Sequence, residues 1–140
     1  MAPLLFVYGT LKREYTGLFG RDMRDRLHRE SRFLGPATMG GRLYDLGSYP
    51  GVLDPLEPGD IVHGEVVELL DPAESLIWLD SYEGILPGAL AASEYRREQR
   101  PVRLPQNGQA NVTELTAWVY IYARDVAGVR SVDGGNWQPA

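Results

Sequence analysis

The chain has no cysteine, two histidines, three phenylalanines and no apolar run near the ~20 residues that a membrane helix needs. The first absence removes disulfides, thiolate catalysis and Cys-ligated metal together. It fits a reducing compartment, and a cytoplasmic location is expected. His28 and His63 stand alone, without HExxH or His-x-His spacing, so no metal site is expected. The opening residues lack a basic stretch, and their apolar run stops at Tyr8-Gly9, so no signal peptide and no membrane partner are expected. Positive charge is the minority: 14 Lys plus Arg against 19 Asp plus Glu leave a formal charge of −5. That balance argues against nucleic acid as a partner. There is no Walker loop, no GxGxxG and no Gly-x-Ser-x-Gly elbow, so neither a nucleotide cofactor nor serine-hydrolase chemistry has support, and no cofactor is expected.

What is present is an ordinary globular composition, 44% apolar and 24% charged over 140 residues, enough for one domain with its own core. Gly and Pro, 16 plus 10, punctuate the chain without forming a linker, which predicts many short elements in a single domain over 1–140. Its core spans about 4–123, and a surface tail runs over about 126–140. Residues 4–8 read as a strand buried on both faces, and 18–32 as an amphipathic helix with a thin apolar stripe. Residues 42–45 read as a strand followed by a loop through Gly47-Ser48-Tyr49-Pro50-Gly51, and β-branched 61–70 as a further strand. Asp71-Pro72-Ala73-Glu74 is a helix start: a cap, a proline at the first helical position and an acid three residues after the cap. That helix should run to Tyr82 with Leu76 and Leu79 inward, and Gly84 should end it in the left-handed region. Residues 95–104 and 115–123 form a long antiparallel hairpin turning at Gln106-Asn107-Gly108, and Pro101 marks an edge or bulged strand. The fold class is α+β: a small mixed, partly closed β-barrel with flanking short helices.

Two segments carry candidate chemistry. In Tyr8-Gly9-Thr10-Leu11-Lys12 a buried strand ends in Gly-Thr, which exposes consecutive backbone N–H groups suited to a carboxylate; a plain tight turn explains the same residues. In Asp80-Ser81-Tyr82-Glu83-Gly84, Glu83 falls at a helix C-terminus, where the dipole is negative, with Asp80 on the same face. Both effects raise its pKa toward that of a proton carrier; a solvated acid at a frayed end is the alternative. Arg96, Arg97, Arg100 and Arg103 read as a solvated strand face, and Trp118, Tyr120 and Tyr122 as one strand face lining the core or barrel. Asn111-Val112-Thr113 is a glycosylation sequon that carries no weight without an export signal.

Taken together, Leu5-Phe6-Val7-Tyr8-Gly9-Thr10-Leu11-Lys12 and Leu79-Asp80-Ser81-Tyr82-Glu83-Gly84 resemble the gamma-glutamylcyclotransferase-like family in its AIG2-like branch. Tyr44-Asp45-Leu46-Gly47, Tyr49-Pro50-Gly51, Val62-His63-Gly64-Glu65-Val66, Tyr95-Arg96-Arg97 and Ala117-Trp118-Val119-Tyr120 agree in order. The resemblance implies a small barrel and a pocket floored by Tyr8, Gly9, Thr10 and Leu11, which grip a gamma-glutamyl group. It implies Glu83 as general acid/base, with Tyr95 and Tyr120 as further pocket residues. The reaction it implies is attack of the substrate's own α-amine on its γ-carbonyl, which closes 5-oxoproline and expels an amine. No protein nucleophile is needed. The expected partner is a small gamma-glutamyl compound, its selectivity set by the loops 47–53 and 85–94. The competing reading is a non-catalytic small-molecule-binding or regulatory domain with the same pocket. The oligomeric state is not legible.

Overall fold

A computed structural model describes residues 3–18, 20–86, 88, 92–105 and 112–137. The elements in chain order are β1 (Leu4–Val7), α1 (Arg21–Glu30), β2 (Ser31–Gly40), β3 (Arg42–Asp45), β4 (Pro50–Leu53), β5 (Ile61–Leu69), α2 (Pro72–Tyr82), β6 (Tyr95–Pro105) and β7 (Val112–Tyr122), followed by a 3-10 turn at Asp133–Gly135. Five strands close a barrel in the order β1-β5-β2-β6-β7, and β3 and β4 form a separate antiparallel pair. The neighbours β1/β5, β2/β5, β2/β6 and β6/β7 are antiparallel. Parallel pairing of Leu5 with Trp118 joins β1 to β7 and completes the ring. The barrel is therefore closed, where the sequence suggested partial closure.

Alternation along the strands divides the apolar residues into two cores. Phe6, Met39, Val62, Val66, Val102, Ala117, Val119 and Ile121 fill one. Leu5, Val7, Val67, Leu69, Tyr95, Tyr120 and Tyr122 form the other with Leu27 of α1 and with Trp78 and Leu79 of α2. Trp118, Tyr120 and Tyr122 thus share a face as expected, but it packs with the helices, and Ala117, Val119 and Ile121 face the other way. The helices are clamped to each other by Glu30, which accepts Ser75 Oγ at 2.7 Å and Trp78 Nε1 at 2.9 Å. Asp71 caps α2 through the Glu74 N–H, with Pro72 in its first turn. Leu79 is fully buried, whereas Leu76 is only partly so.

Three other expectations need correction. The helical stripe over 18–32 shortens to α1, and a strand not expected from the sequence, β2, starts at Ser31. Its Gly35-Pro36 looks like a breaker, but Gly35, at φ 146°, sits at a register shift against β5 and the strand continues past it. The loop expected through Gly51 is shorter, because β4 already begins at Pro50 and pairs with β3. The described part of the tail lies on the surface over much of its length, as at Ala127, Gly128, Arg130 and Asp133, but it is tied into the fold at two points. Val132 N–H bonds Leu43 O at 2.8 Å, and Trp137 is 6% exposed within the core cluster that includes Phe6 and Val66. The hairpin register runs from Tyr95↔Tyr122 to Pro105↔Val112 straight through Pro101, and β6 meets β2 only at Thr38↔Arg103. Its turn, Gln106-Asn107-Gly108, and Asn111 lie outside the described residues. Among the described residues no helix is long and apolar enough to cross a membrane.

Candidate active site

The chain leaves β1 into a buried loop fixed from several sides. Tyr8 Oη donates to Tyr120 O at 2.6 Å, and Lys12 N–H bonds Gly9 O at 3.1 Å. Arg24 Nη1 donates to Thr10 O at 3.1 Å, and Thr10 Oγ1 lies 3.0 Å from Tyr82 Oη. Buried Glu65 accepts the N–H groups of Arg13 and Glu14 behind the loop. Burial pushes its carboxyl above the ordinary range, and those two donors oppose the shift. Among the described residues, the N–H groups of Gly9, Thr10 and Leu11 meet no acceptor. A turn with its amides left unpaired is a ready anion cradle. Gly9 is there for close approach: a Cβ would stand 2.8 Å from Pro50 Cδ and 2.9 Å from Pro50 Cγ. A proline ring cannot swing aside. Gly9→Ala is expected to displace Pro50, whose carbonyl accepts Tyr95 Oη at 2.7 Å. Overpacking of this kind costs about 1–3 kcal/mol. Thermal denaturation should report that loss, and ligand titration a weakening of at least about tenfold, since both disturbed residues line the pocket.

Glu83 is placed by the way α2 ends. It is the C-cap; Gly84 N–H bonds Ser81 O at 3.1 Å and Ile85 N–H bonds Asp80 O at 3.0 Å, with Gly84 at φ 73°. This is the paired-bond helix terminus that a glycine permits. Glu94 is brought alongside by its N–H to Gly84 O at 3.1 Å and by the Ala123 N–H to its carbonyl at 2.8 Å. Burial pushes the Glu83 carboxyl up to about 8, and the charges of Glu94 and then Asp80 add to the rise. The sequence pointed to this direction through the dipole and Asp80; desolvation and Glu94 are the larger causes. Among the described residues no cation or hydrogen-bond donor meets the Glu83 carboxyl. Asp80 is compensated: Arg97 Nε and Nη2 reach its two oxygens at 2.8 and 3.2 Å, and Tyr120 Oη donates to it at 2.7 Å. Burial raises the Tyr8, Tyr95 and Tyr120 phenols, so they remain protonated donors at neutral pH.

These parts surround one cavity of about 90 Å³, lined by Tyr8, Gly9, Thr10, Leu11, Glu83, Tyr95 and Tyr120, every site candidate of the sequence, together with Phe6, Val7, Tyr49, Pro50, Tyr82 and Glu94. That is well below the ~300–1,000 Å³ of sites that enclose a whole drug-sized ligand. It suits one compact end of a molecule. Sequence reasoning missed Tyr49, Pro50 and Glu94 as pocket residues; Tyr49-Pro50-Gly51 and the acid before Tyr95 were the available signals. Lys12, though part of the same motif, is absent from the lining. Its Nζ donates to Asn136 Oδ1 at 3.1 Å and Trp137 O at 3.0 Å. The arginine stretch is internally neutralised: Arg96 and Arg100 pair with Glu98, Arg97 with Asp80 and Arg103 with Glu114. Among the described residues no three His, Asp or Glu side chains gather as metal ligands.

The chain is similar to known proteins over most of its length. A Vibrio cholerae protein named provisionally as a gamma-glutamylcyclotransferase is 31% identical over 140 residues, covering 98% of this chain and 96% of its own. The Escherichia coli family protein YtfP is 29% identical, covering 95% and 94% of the two chains. Its solution structure superposes with a TM-score of 0.60 at 26% identity, over 96% of this chain and 95% of that one. A mouse AIG2-like protein superposes with a TM-score of 0.63 at 25% identity, over 87% of this chain and 78% of that one. A sequence model of the family described as "Gamma-glutamyl cyclotransferase, AIG2-like" matches residues 5–139, and to that family this chain belongs.

Proposed function

We propose that the protein is a gamma-glutamyl cyclotransferase, releasing 5-oxoproline and a free amine from a small gamma-glutamyl compound with Glu83 as the proton shuttle. The observation that carries this reading is a partnerless carboxyl raised to about 8 in a small pocket that also holds unpaired backbone N–H groups. The reaction needs no protein nucleophile, because the substrate's α-nitrogen attacks its own γ-carbonyl. Holding that chain coiled in a tight site contributes up to about 7–11 kcal/mol through effective molarity. The N–H groups of Gly9, Thr10 and Leu11 hold the substrate carboxylate or the developing oxyanion. Glu83 takes one proton from the α-ammonium, the C–N ring bond forms, and Glu83 hands that proton to the amide nitrogen before it takes the second from the ring nitrogen. The old amide C–N bond then breaks, and the two protons reach the departing nitrogen, which leaves as an ammonium. One carboxylate cycling with a pKa near the working pH suffices for both transfers.

The test is 5-oxoproline release from a panel of gamma-glutamyl dipeptides and amines. Release identifies the reaction and ranks the leaving groups; stabilisation by these ligands without product would instead support a binding domain. The pH dependence is a second expected outcome. Since kcat/KM reports the free enzyme, its acid limb should rise with a midpoint near pH 8, where Glu83 ionises. The charge of Asp80 raises that midpoint, so Asp80→Asn should move the limb to lower pH by about half a unit to one unit. Asn retains an acceptor for the Tyr120 hydroxyl.

A further inference from the structure

We propose that Glu94 is a second substrate-contacting carboxylate, which accepts an N–H of the substrate's α-ammonium beside Glu83 and so makes the pocket select ligands with a free primary amine. The inference rests on the gamma-glutamyl reading and deepens it.

Three carboxylates converge here, and they are not equivalent. Asp80 is spent on Arg97 and Tyr120. Glu83 and Glu94 line the cavity, and among the described residues no lysine or arginine pairs with either. Glu94 is positioned for a fixed task. One oxygen, Oε2, accepts the Tyr49 hydroxyl. The other, Oε1, meets no donor among the described residues. The Glu94 backbone is tied at both ends, to Gly84 O and by Ala123 N–H. Gly84 also clears room for it: a Cβ there would stand 3.2 Å from Glu94 Cβ, at a φ of 73° that disfavours any side chain.

The pocket then has a donor side, the N–H groups of Gly9, Thr10 and Leu11, and an acceptor side, Glu83 and Glu94. Donors matched to a carboxylate and acceptors matched to an ammonium describe the head of an α-amino acid. The two acids divide the work. Glu83 removes protons from the nitrogen; Glu94, held by Tyr49, accepts an N–H that remains. That contact turns the nitrogen lone pair toward the γ-carbonyl, so Glu94 binds and orients while Glu83 transfers.

The decisive experiment measures binding by calorimetry to the non-cycling Glu83→Gln chain. Two probes are used, γ-glutamyl-methylamide and glutaric acid monomethylamide, which differ only in the α-ammonium. The leaving amine is minimal in both, so its identity does not enter. The expected result is at least a tenfold preference for the aminated probe, falling to within about threefold in Glu83→Gln/Glu94→Gln. Affinity for the deamino probe should not change between the two chains, which also reports that the double variant is folded; the amide oxygen of the introduced glutamine can still accept the Tyr49 hydroxyl. An equal preference with and without Glu94 overturns the inference, as does binding of neither probe or no preference in Glu83→Gln. Failure of the gamma-glutamyl reading shows separately, as no 5-oxoproline from any panel member with the wild-type chain.

Discussion

Replacing Glu83 by Gln is expected to lower 5-oxoproline release by about 10²–10⁴-fold, the usual contribution of a positioned general acid–base, and at the same time to make the protein more stable. Gln fills the same volume at the helix terminus and keeps the backbone N–H bond to Leu79 O at 2.9 Å. It cannot carry a proton. Discontinuous assay of 5-oxoproline against substrate concentration should show the loss in kcat, since the binding groups are untouched. Release surviving within a few-fold would remove Glu83 from the chemistry.

The stability gain follows from the same pocket. Glu83 titrates near 8 in the folded chain and near ~4.3 when unfolded. Below the lower value both states hold the proton and the group is neutral to folding. As pH rises between the two values the unfolded chain ionises while the folded chain keeps its proton, so the folded state loses stability progressively; above about 8 the loss is complete. Gln has no such loss. Each pKa unit corresponds to about 1.4 kcal/mol, and water in the open pocket screens part of it, leaving a gain of about 2 kcal/mol at pH 8. For a chain of this size that is about 6 °C in Tm. The difference between variant and wild type should shrink on acidification and vanish by about pH 4. A merely exposed glutamate would give no gain at any pH. Loss of activity with gain of stability is the signature of a group held in an unfavourable state for function.

How far the sequence reaches depends on whether a feature is encoded locally. The Asp71-Pro72 start and Gly84 stop of α2 are local chemistry, and they place Glu83 at its terminus within one residue of expectation. The hairpin of β6 and β7 follows from two β-rich runs. β2 is hidden because Gly35-Pro36 carries the mark of a loop, while Gly35 and Pro36 pair with Val66 and Glu65 of β5 just past a register shift between Phe33 and Gly35. Pro50-Gly51 misleads for the same reason: Gly51 lies in a strand, and a Cβ there would stand 2.9 Å from Tyr122 Cβ, a requirement set 71 residues away. Glu94 ends a loop expected to set selectivity and directly precedes Tyr95, but nothing local aims it at the pocket. It enters the pocket through bonds to Gly84 and Ala123, and only the assembled fold brings it beside Glu83. The tail carries too few apolar residues to register as core, yet buried Trp137 and the backbone bonds that join Arg130 and Val132 to β3 anchor it.

That anchor gives the second large effect. Trp137→Ala is expected to destabilise the chain by about 3–5 kcal/mol, the range for removing a large buried aromatic, against a total stability of roughly 5–15 kcal/mol for a domain. Trp137 is 6% exposed and belongs to the core cluster that includes Phe6, Tyr8 and Val66. Its loss does more than open a cavity. The ammonium of Lys12, 1% exposed, rests on Asn136 Oδ1 and Trp137 O; if the segment lifts, a buried charge keeps only Glu14 at 3.1 Å. Leaving a buried charged group short of partners costs more than the bonds themselves contribute. Lys12 also closes the pocket loop through its N–H to Gly9 O, so ligand affinity should fall along with stability in urea titration. Trp137→Phe separates the two causes. The indole Nε1 has no hydrogen-bond partner among the described residues, so Phe gives up some packing but removes an unsatisfied buried donor, and the two nearly cancel. It should therefore keep both the urea midpoint and the ligand affinity near the wild-type values. If Trp137→Ala also leaves the midpoint unchanged, the segment does not hold the barrel, and Lys12 must find its acceptors elsewhere.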